Sequence, residues 1–192
     1  APAERALYQP DGGVTLADRA HSAFVAAARA AGAEVREGVR VTGLALERGA
    51  VRVSTEHEEL VARAVVVTAG AWAPLLLREL GIELPVVPTR ETVTYFELPD
   101  ATGLPPLMDS AVPTAGDYGL VRPGQISYSL AAPGIGLKAG LHHAGPVADP
   151  DEEGIPDPAS VGWVSDWVAA RYPSAGPSST EVQDEPLAAL VS

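Results

Sequence analysis

The run Ala64 to Pro74, AVVVTAGAWAP, constrains this chain more than any other segment. A stretch of valines ends in a glycine and turns at once toward a proline-led helix. Open α/β sheets bind ligands at such strand ends, because small residues let backbone amides approach a phosphate or a flat ring. Val65-Val66-Val67 therefore reads as a buried central strand, and Gly70-Ala71-Trp72 as a turn able to cradle a planar ligand. No G-x-G-x-x-G fingerprint precedes it. The chain opens with APAERALYQPDGGVTLADR, so the segment reads as part of a site.

Composition narrows the classes. The 192 residues are 46% hydrophobic, enough to fill a core. Thirteen basic against 25 acidic residues give a net charge of −12, which repels nucleic acid and anionic membranes. No apolar run reaches the roughly 20 residues that cross a bilayer, and no signal-type leader opens the chain, so a cytoplasmic protein is expected. With no cysteine there is no disulfide, no thiolate metal site and no cysteinyl cofactor link. The alanine, valine, glycine, proline and arginine usage resembles GC-rich bacterial coding.

Periodicity organises the rest. Thr15 reads as the cap of a helix in which Leu16, Ala20, Phe24, Ala27 and Ala31 repeat at helical spacing until Gly32, an alanine-rich surface suited to packing on a sheet. Ala33 to Val35 and Val39 to Leu46 read as strands, Glu47-Arg48-Gly49 as a turn, and Val51 to Thr55 as a returning hairpin strand. A short helix follows from Pro74 to Leu80 and stops at Gly81. From Val86 the texture becomes strands, with TRETVTYFEL first and Ile126 to Ala131 paired with Gly136 to His142 through a Pro-Gly turn. Asp149 to Pro156 is an acidic loop. Asp157 and Pro158 start a last helix containing Val164, Trp167, Val168 and Arg171, and the tail from Ser174 has weak pattern.

Within GLKAGLHHAGP, Lys138 and His142 are four residues apart. On a strand they share a face about 13 Å apart at roughly 3.3 Å per residue. A lysine among glycine, leucine and alanine has no acidic sequence neighbour, so if buried it holds its charge through water or an anionic ligand. The plainer alternative, favoured by spacing alone, is a lysine that reaches solvent from a strand edge beside a polar His142-His143 end. Adjacent histidines face opposite ways on a strand, which argues against a metal site.

These residues carry a family resemblance. YQPDGGVTLADRA, VVVTAGAWAP, PTRETVTYFEL with downstream LMD, and GLKAGLHHAG with the following DPD resemble, in order, the middle of FAD-dependent amine oxidases. The group is that of monomeric sarcosine oxidase and N-methyltryptophan oxidase, within the D-amino-acid-oxidase-like superfamily. The resemblance implies that Lys138 sits over the flavin, bridged by water to its N5, and activates oxygen. It places His142 at the substrate carboxylate end, Tyr128 on the substrate side with Tyr118 as the alternative, and Met108 in the pocket. Val41 and Gly70-Ala71-Trp72 match residues on the adenine and flavin side. Tyr128, Met108 and Trp72 equally suit ordinary packing.

The match departs from the family in two places. The phosphate-binding β-α-β unit and the arginine segment that meets substrate and flavin have no counterpart, and STEVQDEPLAALVS lacks the cysteine that holds flavin in covalent members. The resemblance thus implies a non-covalent FAD in a truncated oxidase-like protein acting on a secondary or N-methyl amino acid with oxygen as acceptor. A second chain that completes the FAD site is one implied partner, beside the small amine or amino-acid substrate. The competing reading is a cofactor-free small-molecule binding protein, or a non-redox cyclase, reusing the same pocket. The expected fold is α+β. A partial FAD-binding-type α/β layer at 1–81, lacking the G-x-G-x-x-G unit, precedes an antiparallel-sheet substrate domain at 82–173 and a tail at 174–192.

Overall fold

The computed structural model describes residues 5–110, 126–142 and 144–176, together with the backbone of 179–190. The architecture is α+β, helices combined with antiparallel sheets, as the alternation of helical and strand-like segments predicts. Two compact units divide the chain, one comprising residues 1–14 and 88–189, the other 15–87 and 190–192.

In the second of these units, helix α1 spans Ala17–Ala30 and ends before Gly32 as the sequence predicts. Its N-cap is Leu16, with no side-chain cap, so Thr15 does not take the predicted role. No residue of α1 is buried and Phe24 is 78% exposed, which corrects the expectation of a helix pressed on a sheet. Strands β1 (Val41–Glu47), β2 (Ala50–Thr55) and β3 (Glu59–Ala62) form an antiparallel meander. Ala33 to Val35 and Val65 to Val67 are not strands. An extended apolar run becomes a strand only when a neighbour supplies its hydrogen-bond ladder, and no described strand pairs with either segment. After it, a single 3₁₀ turn, Gly70–Trp72, leads into helix α2, Ala73–Arg78, with proline in its first turn. Helix α2 is anchored on β1 through Glu79, whose Oε2 accepts from Leu44 N at 3.3 Å.

The other unit holds a five-stranded sheet of order β5-β6-β7-β4-β8, antiparallel from β5 through β4. Its strands are β4 (Val86–Phe96), β5 (Leu107–Asp109), β6 (Ile126–Ala132), β7 (Gly136–His142) and β8 (Ser179–Leu190). The predicted β6–β7 hairpin is present, with Ile126 opposite His142 and Ala132 opposite Gly136. Strand β8 occupies the edge beside β4, where the sequence shows only a weakly patterned tail. A ladder to β4 defines that strand, and such pairing leaves no local period to read.

Helix α3, Pro158–Arg171, covers one face of this sheet. Asp157 caps it as predicted, accepting from Ala159 N at 3.3 Å, Ser160 N at 3.0 Å and Ser160 Oγ at 2.7 Å. The Ser160 hydroxyl, followed by these two amides, holds the Asp157 carboxyl below the usual aspartate range against the opposing effect of burial. Trp163, Val164, Trp167 and Val168 form the buried stripe of α3, at spacing that keeps them on one side of a helix. They pack with Phe96, Leu137, Ala139 and Leu141 into the core. Polar pins surround it: Trp163 Nε1 donates to Ser127 Oγ, Trp167 Nε1 and Arg171 Nε donate to Asp109 Oδ2, and Ser129 Oγ meets the Tyr172 hydroxyl at 2.7 Å. Among the described residues, no helix is long and apolar enough to cross a membrane.

Candidate functional site

Strand alternation assigns the site to the face opposite α3. Leu137, Ala139 and Leu141 of β7 enter the α3 core, so Lys138, Gly140 and His142 project the other way. On β6, Ser127 and Ser129 bond to α3 and its C-terminal Tyr172, which leaves Ile126, Tyr128 and Leu130 on the Lys138 side. Cross-strand register then composes the face row by row. Met108, Tyr128, Gly140 and Val93 lie in one row, and Leu130, Lys138 and Tyr95 in the next. Ile126 and His142 form the row on the other side.

The structure thus brings four of the sequence-predicted residues onto one surface: Lys138, His142, Tyr128 and Met108. Lys138 and His142 are half-buried, and Met108 is 67% exposed. Tyr128 lies across β7. A Cβ added at Gly140 would stand 2.8 Å from the Tyr128 hydroxyl oxygen and 3.0 Å from the ring carbon that bears it, so only glycine leaves room for that ring. The Tyr128 and His142 rings meet edge to face with centroids 6.5 Å apart. The face therefore carries an ammonium at one end, an imidazole at the other and a phenol between them. Such an arrangement can hold an anionic group and stabilise negative charge developing nearby. Tyr118 and His143 lie outside the described residues.

Sequence reasoning missed three contributors, Gly140, Tyr95 and Glu91. Tyr95 is buried opposite Lys138. Glu91 is 2% exposed, accepting from Thr89 Oγ1 at 3.0 Å, Ala144 N at 3.1 Å and Gly145 N at 2.9 Å. The available signal was its phase: in TRETVTYF, Glu91 alternates with Val93 and Tyr95, so a carboxyl stands in register with two side chains that pack.

The residues expected on the cofactor side belong to the other compact unit. Val41 opens β1 beside a register irregularity and is half-buried. Gly70 takes a left-handed backbone, φ +52°, with open space above its Cα, while Ala71 is buried and Trp72 is 38% exposed. Among the described residues no atom lies within 4 Å of where a Cβ at Gly70 would stand, so this turn leaves open space beside the Trp72 indole.

Comparison with known proteins identifies the family and the fold. The FAD dependent oxidoreductase (DAO) family matches residues 1–185. Monomeric sarcosine oxidase of Arthrobacter sp. (strain TE1826) is 31% identical over 151 residues, covering 76% of this chain and 36% of that protein. Peroxisomal sarcosine oxidase of Homo sapiens is 33% identical over 190 residues, covering 94% of this chain and 46% of that protein. The chain therefore spans less than half the length of these relatives. Among solved structures, the open form of NikD, an unusual amino acid oxidase essential for nikkomycin biosynthesis, superposes with TM-score 0.72 at 23% identity, covering 88% of this chain and 43% of that one. Glycine oxidase from Geobacillus kaustophilus gives 0.65 at 19%, covering 87% and 40%; likenesses at such identity speak for the fold. A match over residues 1–185, with sarcosine oxidases aligned along most of the sequence, makes this chain a member of the FAD-dependent oxidoreductase family.

Proposed function

We propose that this chain carries the substrate face of an FAD-dependent oxidase that acts on a secondary or N-methyl amino acid and passes the electrons to oxygen. The observation that carries this reading is the grouping of Lys138, Tyr128 and His142 on one sheet face, with α3 packed on the other. Val41, Gly70, Ala71 and Trp72 are the residues that would hold the cofactor. When bound, FAD supplies the two-electron acceptor for the amine's C–H bond. The protein's own groups do the rest. The Lys138 ammonium stabilises negative charge as oxygen is reduced. His142 and the Tyr128 hydroxyl orient the substrate carboxylate, and Met108 gives the pocket an apolar wall. The exposed Phe24 and Val66 of the other unit support a related reading, that further polypeptide, in the same or a second chain, covers that unit and completes the FAD site.

The test has two parts. With the polypeptide that completes the FAD site present, titrating FAD should shift the flavin absorption band. Lys138→Met should then slow oxygen-dependent turnover by about 10²- to 10³-fold, the loss expected for one charge-stabilising group, while anaerobic bleaching by substrate persists. Oxygen turnover unchanged by Lys138→Met would remove the lysine from the proposal.

A further inference from the structure

We propose that Glu91 is a positioning residue that fixes His142 by holding the nearby backbone amides of Ala144 and Gly145. The inference rests on the substrate role given to His142 above.

Strand β4 pairs with β7 from Phe96 opposite Leu137 to Val93 opposite Gly140. The two chains meet again at a bridge between Thr89 and Val147, where Arg90 N donates to Pro146 O at 3.0 Å and Ala148 N to Pro88 O at 3.1 Å. Four steps along β4 thus oppose seven along the other chain, a register difference of three residues that marks a bulge between the two pairings. Such bulges re-aim side chains, and they remove amides from the ladder. His142 stands where this bulge begins. Inside it, the amides of Ala144 and Gly145 both donate to one oxygen of Glu91, Oε2.

The other Glu91 oxygen accepts from the Thr89 hydroxyl, so the buried carboxyl is satisfied by three donors. Space is equally specific. A Cβ at Gly145 would stand 1.9 Å from Arg90 O and 3.0 Å from Glu91 Cδ, so the bulge closes onto β4 only with glycine there. On its other side, His142 is tied by pairing to Ile126. Glu91 supplies the second restraint, and the edge-to-face contact with Tyr128 reports whether the imidazole keeps its place.

Hydrogen exchange on the unaltered chain is the first test. The Ala144 and Gly145 amides should exchange at least about tenfold more slowly than in an unfolded chain; exchange at the unfolded rate overturns the proposal. The second reads the His142 ring proton by NMR, assigned from the signal that His142→Gln removes. Glu91→Ala should shift or broaden it. Glu91→Gln should restore it, because an amide oxygen still accepts both backbone N–H groups and the amide nitrogen donates to Thr89 Oγ1. Should Glu91→Ala fail to fold, Glu91→Asp, one methylene shorter, gives the same reading. Asp157→Ala, which weakens α3 at its cap, should leave the signal in place. A His142 signal unmoved by Glu91→Ala, or moved as much by Asp157→Ala, overturns the proposal. In the flavin-loaded oxidase, Glu91→Ala should raise the amino-acid KM about tenfold, equivalent to roughly 1.4 kcal/mol, with a smaller change in kcat. Protected amides and a shifted ring signal with an unchanged KM uphold the Glu91 contact and remove His142 from substrate binding. Unprotected amides overturn the Glu91 contact whatever the KM.

Discussion

The two units of this protein bury apolar side chains to very different degrees. In the unit built on β4 to β8, Phe96, Leu137, Val164 and Val168 are each 1% exposed and Ala139 is at 0%. In the unit containing α1 and the three-stranded meander, Leu44, Ala71 and Ala73 are the buried apolar residues among those described, while Phe24, Val61 and Val66 stand open. Both sequences are rich in alanine and valine, so hydrophobic content does not explain the contrast. A sheet with a helix laid across it closes its own layer, whereas in the other unit α1 has no buried residue and the meander meets, among the described residues, the short helix α2. The consequence for function is that the Lys138 face is built on the unit with the packed core, where a rigid backbone can hold side chains in place.

The largest expected effect tests that contrast with one residue type. Phe96→Ala should lower the stability of its unit by about 3–5 kcal/mol, whereas Phe24→Ala should stay within about 0.5 kcal/mol. Denaturant unfolding followed by the fluorescence of Trp163 and Trp167 reads the first, and equal effects from the two substitutions would erase the distinction drawn here. Next, Asp109→Ala should lose about 2–3 kcal/mol, because it strips the acceptor from Trp167 Nε1 and from the Arg171 guanidinium at 2.7 Å. A shift of the same unfolding midpoint checks it, and no shift would mean that α3 is held by its apolar stripe alone.

Asp157→Ala should remove about 1 kcal/mol through loss of the α3 cap. Here pH sharpens the comparison. The folded carboxyl is held below its ordinary value by the Ser160 hydroxyl and the Ser160 and Ala159 amides. Its contribution is therefore full above roughly pH 3.9 and is lost as pH falls through the lower folded value. Parent and Asp157→Ala curves measured down an acid series should converge at the bottom; a constant gap would show that the cap acts without its charge. The smallest effect has the opposite sign. Thr94 Oγ1 is buried with no hydrogen-bond partner among the described residues. Thr94→Val should thus be neutral or stabilising by up to about 1 kcal/mol in thermal melts.

Local signals in the sequence carried much of the sheet unit. Two-residue alternation put Lys138 and His142 on one face, the Pro-Gly turn joined β6 to β7, and Asp157-Pro158 marked the start of α3. Signals that depend on a neighbour misled. Val65 to Val67 has the composition of a central strand but no ladder among the described strands, and the weak pattern after Ser174 hid a strand made by β4. The site divides in the same way. Lys138 and His142 are related by counting along one strand, but Tyr128 and Met108 join them through register alone.

The sequence by itself determined which residues alternate along β7, where α3 starts and which family the chain resembles, because turns, period and the Asp157 cap are short-range properties of the backbone. Tertiary structure alone decided that Tyr128 lies over Gly140, that Glu91 is buried against the Ala144–Gly145 backbone, and that no residue of α1 is buried. Those outcomes depend on which atoms distant parts of the chain bring within van der Waals and hydrogen-bond reach, and no local period encodes that distance.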